Sequence, residues 1–423
     1  MSIPRTPLDA WIARELDSSP RLENRQRLEE AQKRSLALLI SQAREKTRFY
    51  RKHLEGYSGA SLEDLPFTFP SDLQKGDSPF LGVSRSEIQR MVSLATSGTR
   101  GSSKRLGFTR EELERTEEFF LVGMSTFTPR ESRVGIFMEG PRPYSIGDLL
   151  KRALERMDCA PHLFGLIRNV PEAAARMEKI RPQVVAGLPS QMLSLAEATP
   201  HTSLAPKAVL LSADMAPQAL RKRIERAWNC ETFNHYGLTE SGWGCAVECG
   251  AHRGCHIREL DLLMEIVDSQ GKILPEDTWG EVVLTTLRRP SFPLIRYRTG
   301  DRGRLLSAVC PCGSPLKRLE VTGRLPLEGA SGTPLDLYEV ENTLWSFEKI
   351  RDFSLSLEYQ GGSPAALTVL LGSSPERELP LRSIEKALED SSGIPLQIHL
   401  KKHPEPFLTH KHPKRNWTPH THN

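Results

Sequence analysis

The sequence predicts an α/β chain: a large N-terminal domain with parallel sheets flanked by helices and a β-rich subdomain, then a small α+β C-terminal domain. Three observations carry this. Between residues 134 and 234 short apolar runs alternate with helical patterns; after residue 240 short strand candidates follow one another between Gly, Pro and Asp turns; past Gly323 two helical patterns are interspersed with three strands. Strands that alternate with helices imply crossover connections, and hence a parallel sheet covered on both faces. Ligands of such sheets bind at the carboxyl ends of the strands. The expected division is 1–322 for the large domain, with its β-rich part at about 241–322, and 323–423 for a small mobile lid.

In chain order, residues 22–56 space Leu28, Ala31, Leu36, Leu39, Ile40 and Ala43 at a helical period, which predicts one long amphipathic helix. Residues 65–79 contain prolines and read as an irregular linker. A strand at 91–95, a polar loop at 96–104 and a helix beginning near Thr109 come next. Strands at 134–138, 162–167, 184–188, 208–212 and 232–234 then alternate with helices at 146–157, 171–180, 190–198 and 217–228. The β-rich stretch offers strands at 263–267, 281–286 and 294–297. Helices at 335–347 and 381–390 with strands at 353–359, 367–371 and 396–400 complete the C-terminal domain, and a tail from His403 is rich in His and Pro.

Composition excludes several classes. The 423 residues are long enough for two or three domains, and a net charge of +4 from 57 basic and 53 acidic residues, largely interspersed, gives no field for nucleic acid. No run approaches the roughly 18 apolar residues of a membrane span, and Asp9 and Glu15 interrupt any signal-peptide core, so a cytoplasmic protein without membrane insertion is expected. Five of the seven cysteines fall between Cys245 and Cys312, a crowding that favours metal binding over a disulfide framework.

Three stretches carry the chemistry. The loop Thr96-Ser97-Gly98-Thr99-Arg100-Gly101-Ser102-Ser103-Lys104 has glycines that let backbone N–H groups approach an anion, with hydroxyls and cations around them. It reads as a phosphate grip, although it lacks the Walker A spacing and a plain surface loop is the bland alternative. Tyr236-Gly237-Leu238-Thr239-Glu240 follows a strand, where a carboxylate and a hydroxyl are suited to hold a divalent cation beside phosphate oxygens; a capping turn is the alternative. Arg296-Tyr297-Arg298-Thr299-Gly300-Asp301 ends in a carboxylate able to accept from both hydroxyls of a ribose, or in a common Gly-Asp turn. Separately, Cys249, His256, Cys310 and Cys312 offer three thiols and an imidazole, a set suited to tetrahedral Zn²⁺; buried unliganded thiols are the alternative, and Cys245, His252 and Cys255 are reserve ligands.

Taken together, in this order, the stretches resemble the motifs of the adenylate-forming superfamily and, within it, the phenylacetate–CoA ligase family. The likeness extends to Phe49-Tyr50, Leu65-Pro66-Phe67-Thr68, Pro293-Leu294-Ile295-Arg296 and Gly323-Arg324, and so covers most of residues 45–325. The resemblance implies an ATP-dependent acid–CoA ligase: a carboxylate attacks the α-phosphate of ATP to give acyl-AMP and pyrophosphate, and the thiol of coenzyme A then displaces AMP. It implies that Thr96, Ser97, Gly98, Thr99, Arg100, Gly101 and Lys104 grip the outer phosphates, and that Thr239 and Glu240 place Mg²⁺. It also implies that Asn234, Tyr236 and Gly237 line the adenine site, that Asp301 and Arg324 hold the ribose, and that Lys411 bridges the acid and the phosphate. Relatives with Glu-Cys, Gly-x-His and Cys-x-Cys-Gly segments carry a structural zinc, matched here by Glu248-Cys249, Gly254-Cys255-His256 and Cys310-Pro311-Cys312-Gly313. Residues 137–144 and 242–245 lie where the family forms its acyl pocket, and Trp243 points to an aryl or other apolar acid; Trp228, Phe137 and Trp243 also suit a core. The partners implied are a small carboxylic acid, ATP and CoA, with room for a homodimer.

The sequence departs from the family at three places. Arg100 stands where a second Thr is usual, His410 replaces the glycine before Lys411 and leaves Lys414 as a second candidate, and Leu325-Pro326-Leu327 replaces the Asp-rich hinge. Proline fixes φ near −65°, which restricts a swivel there or moves it to 328–332. Two other readings stay open: transfer of the acyl group to a protein or carrier thiol, and a nucleotide-binding pseudo-enzyme.

Overall fold

The computed structural model describes residues 3–16, 19–57, 61–75, 79–95, 103–200, 205–328, 334–360, 363–372, 379–392, 397–403 and 418–420. They gather into two compact units, one of Met1–Glu131, Gly140–Ala160 and Phe233–Val321, the other of Ser132–Glu139, Pro161–Thr232 and Thr322–Asn423.

The first unit begins with a helix that the apolar spacing does not announce, Pro7–Glu15, whose Leu8, Trp11 and Ile12 are buried. The expected helix over 22–56 is two helices, Gln26–Lys46 and Arg48–His53. Thr47 separates them. Its backbone is extended (φ −107°, ψ 139°), and its hydroxyl accepts from the Tyr50 N–H at 3.1 Å while donating to the Ala43 carbonyl at 2.8 Å. The hydroxyl thereby satisfies groups at both helix ends. Tyr50 is fully buried, its hydroxyl 2.9 Å from Thr68 Oγ1. Thr68 in turn exchanges backbone hydrogen bonds with Arg296 and Arg298, so the stretch read as a linker is tied to a strand and contains the 3₁₀ turn Asp72–Lys75.

An antiparallel hairpin of Ile88–Ala95 and Ser103–Thr109 sets Leu94 opposite Lys104. Thr109 then caps the helix Arg110–Met124 in a reciprocal box with Glu112. A sheet runs in the order Leu262–Val267, Gly280–Thr286, Tyr297–Leu306, Arg318–Arg324, Cys255–Ile257, Ala246–Glu248, Glu231–Tyr236. Its pairings are antiparallel, as the turn-rich stretch after residue 240 suggests. The strand expected at 294–297 starts only at Tyr297, because Arg296 adopts φ +45° and turns the chain. Arg296 is a clamp: its buried guanidinium holds Glu265 through two bonds of 2.9 and 3.2 Å and binds the carbonyls of Glu63 and Leu65.

In the second unit, parallel strands are ordered Ala208–Leu211, Val184–Gly187, Arg133–Phe137, Ala160–Leu163. Every residue of Val184–Gly187 and Ala208–Leu211 is buried, the pattern of strands covered on both faces. The helix Val170–Ile180 links Ala160–Leu163 to Val184–Gly187 and Pro189–Ala198 links that strand to Ala208–Leu211, while Gln218–Trp228 leads on to Glu231–Tyr236. A second sheet, Gln397–His403, Ser363–Gly372, Asp352–Gln360, Thr418–His420, accompanies the helices Leu337–Ser346 and Leu381–Ser392. The core of this unit includes Phe137, Trp228, Trp345 and Phe353, so Phe137 and Trp228 follow their core reading. Arg223 is buried beside them, its guanidinium bound to Glu197 and to the carbonyls of Trp345, Phe347, Glu348 and Ile350.

Candidate active site and metal centre

Within the first unit, residues from three distant stretches of sequence meet. Lys104, near the start of Ser103–Thr109, extends its ammonium to Glu240 Oε1 at 3.0 Å and to the Tyr297 hydroxyl at 3.1 Å. Tyr297 donates to the same Glu240 oxygen at 3.2 Å, closing a triangle. Charge-assisted bonds of this kind contribute roughly 1.5–3 kcal/mol each, more than neutral ones. Glu240 is only 8% exposed; burial opposes its ionisation, but the Lys104 charge and the bonds it receives outweigh burial and hold its carboxyl below the usual range. The anion is therefore preformed, with a cation and a neutral donor on one oxygen.

Next to this triangle lies a second pair. The Tyr236 hydroxyl donates to Asp301 Oδ2 at 2.9 Å, and burial followed by the Asp301 charge keeps that phenol protonated well above its ordinary range. The Asp301 N–H donates to Thr299 Oγ1 at 3.0 Å, and Thr299 donates onward to the Val282 carbonyl at 2.7 Å, which fixes the Gly300 turn at φ +73°. Thr239 opens the 3₁₀ turn Thr239–Ser241 that carries Glu240. A Cβ on Gly237 would lie 1.7 Å from the Trp243 carbonyl, so only glycine lets the chain double back here. Trp243 itself, at φ +65°, stacks on Phe108 with centroids 4.4 Å apart.

The other expected residues divide as follows. Asn234 is held by Glu248, through its N–H at 2.8 Å and its amide at 3.4 Å. Its neighbour His235 packs between Phe119 and Phe120, and burial, helped by the Arg258 charge, pushes its pKa down to about 4, so it is neutral near pH 7. Arg324 ends the strand Arg318–Arg324, in the second unit, and is exposed. Thr96, Ser97, Gly98, Thr99, Arg100, Gly101, Lys411 and Lys414 lie outside the described residues. Tyr297 was missed as a functional residue, although it sits inside the third motif; its reach to Glu240 depends on a strand register that no local pattern carries.

Cys249, His256, Cys310 and Cys312 are all buried, and one donor atom from each lies within 4.8 Å of every other. Cys249 Sγ is 3.6 Å from Cys310 Sγ, and Cys312 Sγ is 3.4 Å from His256 Nε2. A tetrahedral zinc with Zn–S bonds of ~2.3 Å sets neighbouring sulfurs about 3.8 Å apart, so both the donor set and its spacing fit that ion. Hydrogen bonds from Cys249 and Cys310 push the Cys312 thiol below its usual range. The reserve residues are engaged elsewhere: Cys245 with Ser241 at 2.8 Å, Cys255 with the Asn234 carbonyl at 3.6 Å, and His252 against Phe233 and Glu248. Among the described residues no helix is long and apolar enough to cross a membrane.

Comparison with known proteins places this geometry. A solved 2-hydroxyisobutyryl-CoA ligase in the postadenylation state superposes with a TM-score of 0.77 at 18% identity, over 92% of this chain and 91% of that one. An anthranilate CoA ligase in complex with anthranoyl-AMP superposes with a TM-score of 0.55 at 16% identity, over 73% of this chain and 63% of that one. The fold is thus that of the adenylate-forming CoA ligases. In sequence, the chain is 32% identical over 321 residues to the phenylacetate–coenzyme A ligase of Thermus thermophilus, covering 70% of each. The Pseudomonas putida phenylacetate–coenzyme A ligase is 26% identical over 373 residues, 80% of this chain and 81% of that one. No family model matches the chain. By the Thermus relationship the chain belongs to the phenylacetate–CoA ligase family of AMP-forming acyl-CoA synthetases.

Proposed function

We propose that this chain activates an aryl or other apolar carboxylic acid as acyl-AMP, releasing pyrophosphate, and transfers the acyl group to coenzyme A. The observation that carries the reading is the convergence of Lys104 and Tyr297, from two of the motifs, on one carboxylate oxygen of Glu240, from the third. Two anions, the acid and the triphosphate, must be brought together, and preorganised charge is what lowers the barrier of such a step most. Lys104 moves from Glu240 to the outer phosphates when ATP enters, with Thr96, Ser97, Gly98, Thr99, Arg100 and Gly101 completing the grip. Glu240 and Thr239 would hold Mg²⁺, which would supply positive charge beside the phosphates. Tyr297 keeps the Glu240 carboxylate aimed. Asp301 and Arg324 hold the ribose, while Asn234, Tyr236 and Gly237 form the adenine wall. Lys411, from a mobile 323–423 domain, neutralises the attacking carboxylate. The stacked Phe108 and Trp243 rings beside the Glu240 turn support an apolar acid. The four Cys/His donors hold a structural Zn²⁺ that ties the strands of the 241–322 region together, and the protein works in the cytoplasm.

The test is pyrophosphate release measured against a panel of aryl and aliphatic acids, with CoA added or withheld. Release with one acid class, followed by AMP only when CoA is present, is the expected result. AMP formed only with a carrier protein makes the acceptor a protein thiol, and nucleotide binding without release reduces the chain to a pseudo-enzyme.

A further inference from the structure

Next to the Glu240 turn, and outside the motifs above, the first unit contains a cavity of about 20 Å³ lined by Phe108, Arg115, Ser241, Arg258, Asp261 and Arg289, among others. That is room for one water-sized species. Its walls are unusual in charge. Arg258 and Arg289 are each only 5% exposed, yet their guanidiniums are under-bonded. Arg258 donates to the Ser241 carbonyl at 2.7 Å, but its Nε has no hydrogen-bond partner among the described residues, and Asp261 Oδ2 stands 4.0 Å away. Arg289 donates to the Gly107 carbonyl at 3.2 Å and lies over the Phe108 ring at 4.3 Å, leaving Nε and Nη1 without a partner among the described residues.

The nearby carboxylates do not fill the gap. Glu112 is consumed by Thr109 and Ser291. Asp261 gives one oxygen to Arg115 and turns the other, which accepts no hydrogen bond among the described residues, toward Arg258 as a loose ion pair, and Glu15 is shared by Arg115 and Arg288. Glu240, which acts on Arg289 through space, is paired with Lys104. Four guanidiniums, those of Arg115, Arg258, Arg288 and Arg289, therefore face three carboxylates, those of Glu15, Glu112 and Asp261, and one positive charge is left over. Weakly paired buried charge is costly: burial, the dominant cause, pushes the Arg289 pKa down to about 10 and lowers that of Arg258.

We propose that this cavity is a binding site for one halide-sized monoanion, chloride under ordinary conditions, held by the Nε and Nη1 groups of Arg289 and the Nε of Arg258. The space is matched to one small ion. The anion joins the hairpin strand Ser103–Thr109, through Arg289 and Gly107, to the turn Thr239–Ser241, through Arg258 and Ser241. It is a structural anion for the two elements that carry Lys104 and Glu240, and its binding does not depend on the reaction assigned above.

The test is thermal unfolding of the full chain as chloride replaces gluconate at constant ionic strength. A ligand that binds only the folded state raises Tm in a saturable manner, here by about 2 °C or more. Chloride and bromide are expected to do so, and Arg289→Gln and Arg258→Gln each to abolish the saturable part. Crystals grown in bromide are expected to show an anomalous peak between the two guanidiniums, a readout that stands even if either variant fails to fold. Coincident chloride and gluconate curves, a shift retained in both variants, or a bromide-grown crystal with only water in the cavity would each overturn the proposal.

Discussion

The Glu240 site and the Cys/His cluster belong to the same unit but are built on opposite principles. At Glu240 and Asp301 both carboxylates already have partners, Lys104 and Tyr297 on one oxygen of Glu240 and Tyr236 on Asp301, so these two anions are satisfied by neighbouring side chains. Around Cys249, His256, Cys310 and Cys312 the donors crowd toward a common point and touch one another, at 3.4 and 3.6 Å. Self-satisfied ionic groups can exchange partners at modest cost, which suits a site that a substrate enters and leaves. Converging soft donors gain little from each other and much from a cation, which suits a permanent fixture.

The largest effect expected from this contrast is at the cysteines. Cys310→Ala should destabilise the fold by more than about 4 kcal/mol in urea unfolding and strip the metal, because it removes a ligand and leaves the other donors buried without a centre. Wild-type protein carrying far less than about one zinc per chain on elemental analysis would erase the contrast. Glu240→Gln should lower acid-dependent pyrophosphate exchange by about 10²–10³-fold while the protein stays folded, the loss typical of a well-aimed electrostatic group. Exchange at the wild-type rate would remove Glu240 from the site. Smallest is Tyr297→Phe. It deletes one hydroxyl, which donates to Glu240 and accepts from Lys104, so adenylation should fall about tenfold, in line with a charge-assisted hydrogen bond of ~1.5 kcal/mol, with little change in Tm. An effect as large as that of Glu240→Gln would make Tyr297 more than a positioning residue.

Much of this was legible in the sequence, and the misses have physical reasons. The alternating strands and helices between 134 and 234 stand within a few residues of their expected places because burial on both faces writes continuous apolar runs. The long helix over 22–56 was overextended because Thr47 breaks it with a side-chain bond that does not disturb the apolar period. At 294–297 the run of Pro293, Leu294 and Ile295 looks like a strand but is buried irregular chain, since Arg296 needs its turn to clamp Glu265 and residues 63–65. For the site, the motifs named Lys104, Glu240, Tyr236 and Asp301. Which of these would pair was not legible, because partners separated by 136 and 65 residues are chosen by sheet order rather than by local pattern. Arg258 and Arg289 carried no signal at all, as arginines in a mixed-charge sequence are ordinarily solvated.

At Gly237 the Trp243 carbonyl fills the place a Cβ would take, so the chain from 237 to 243 is a closed loop pinned at both ends, with Glu240 at its midpoint. Its length is thereby as constrained as its composition: one residue gained or lost inside it would rotate the carboxylate away from Lys104.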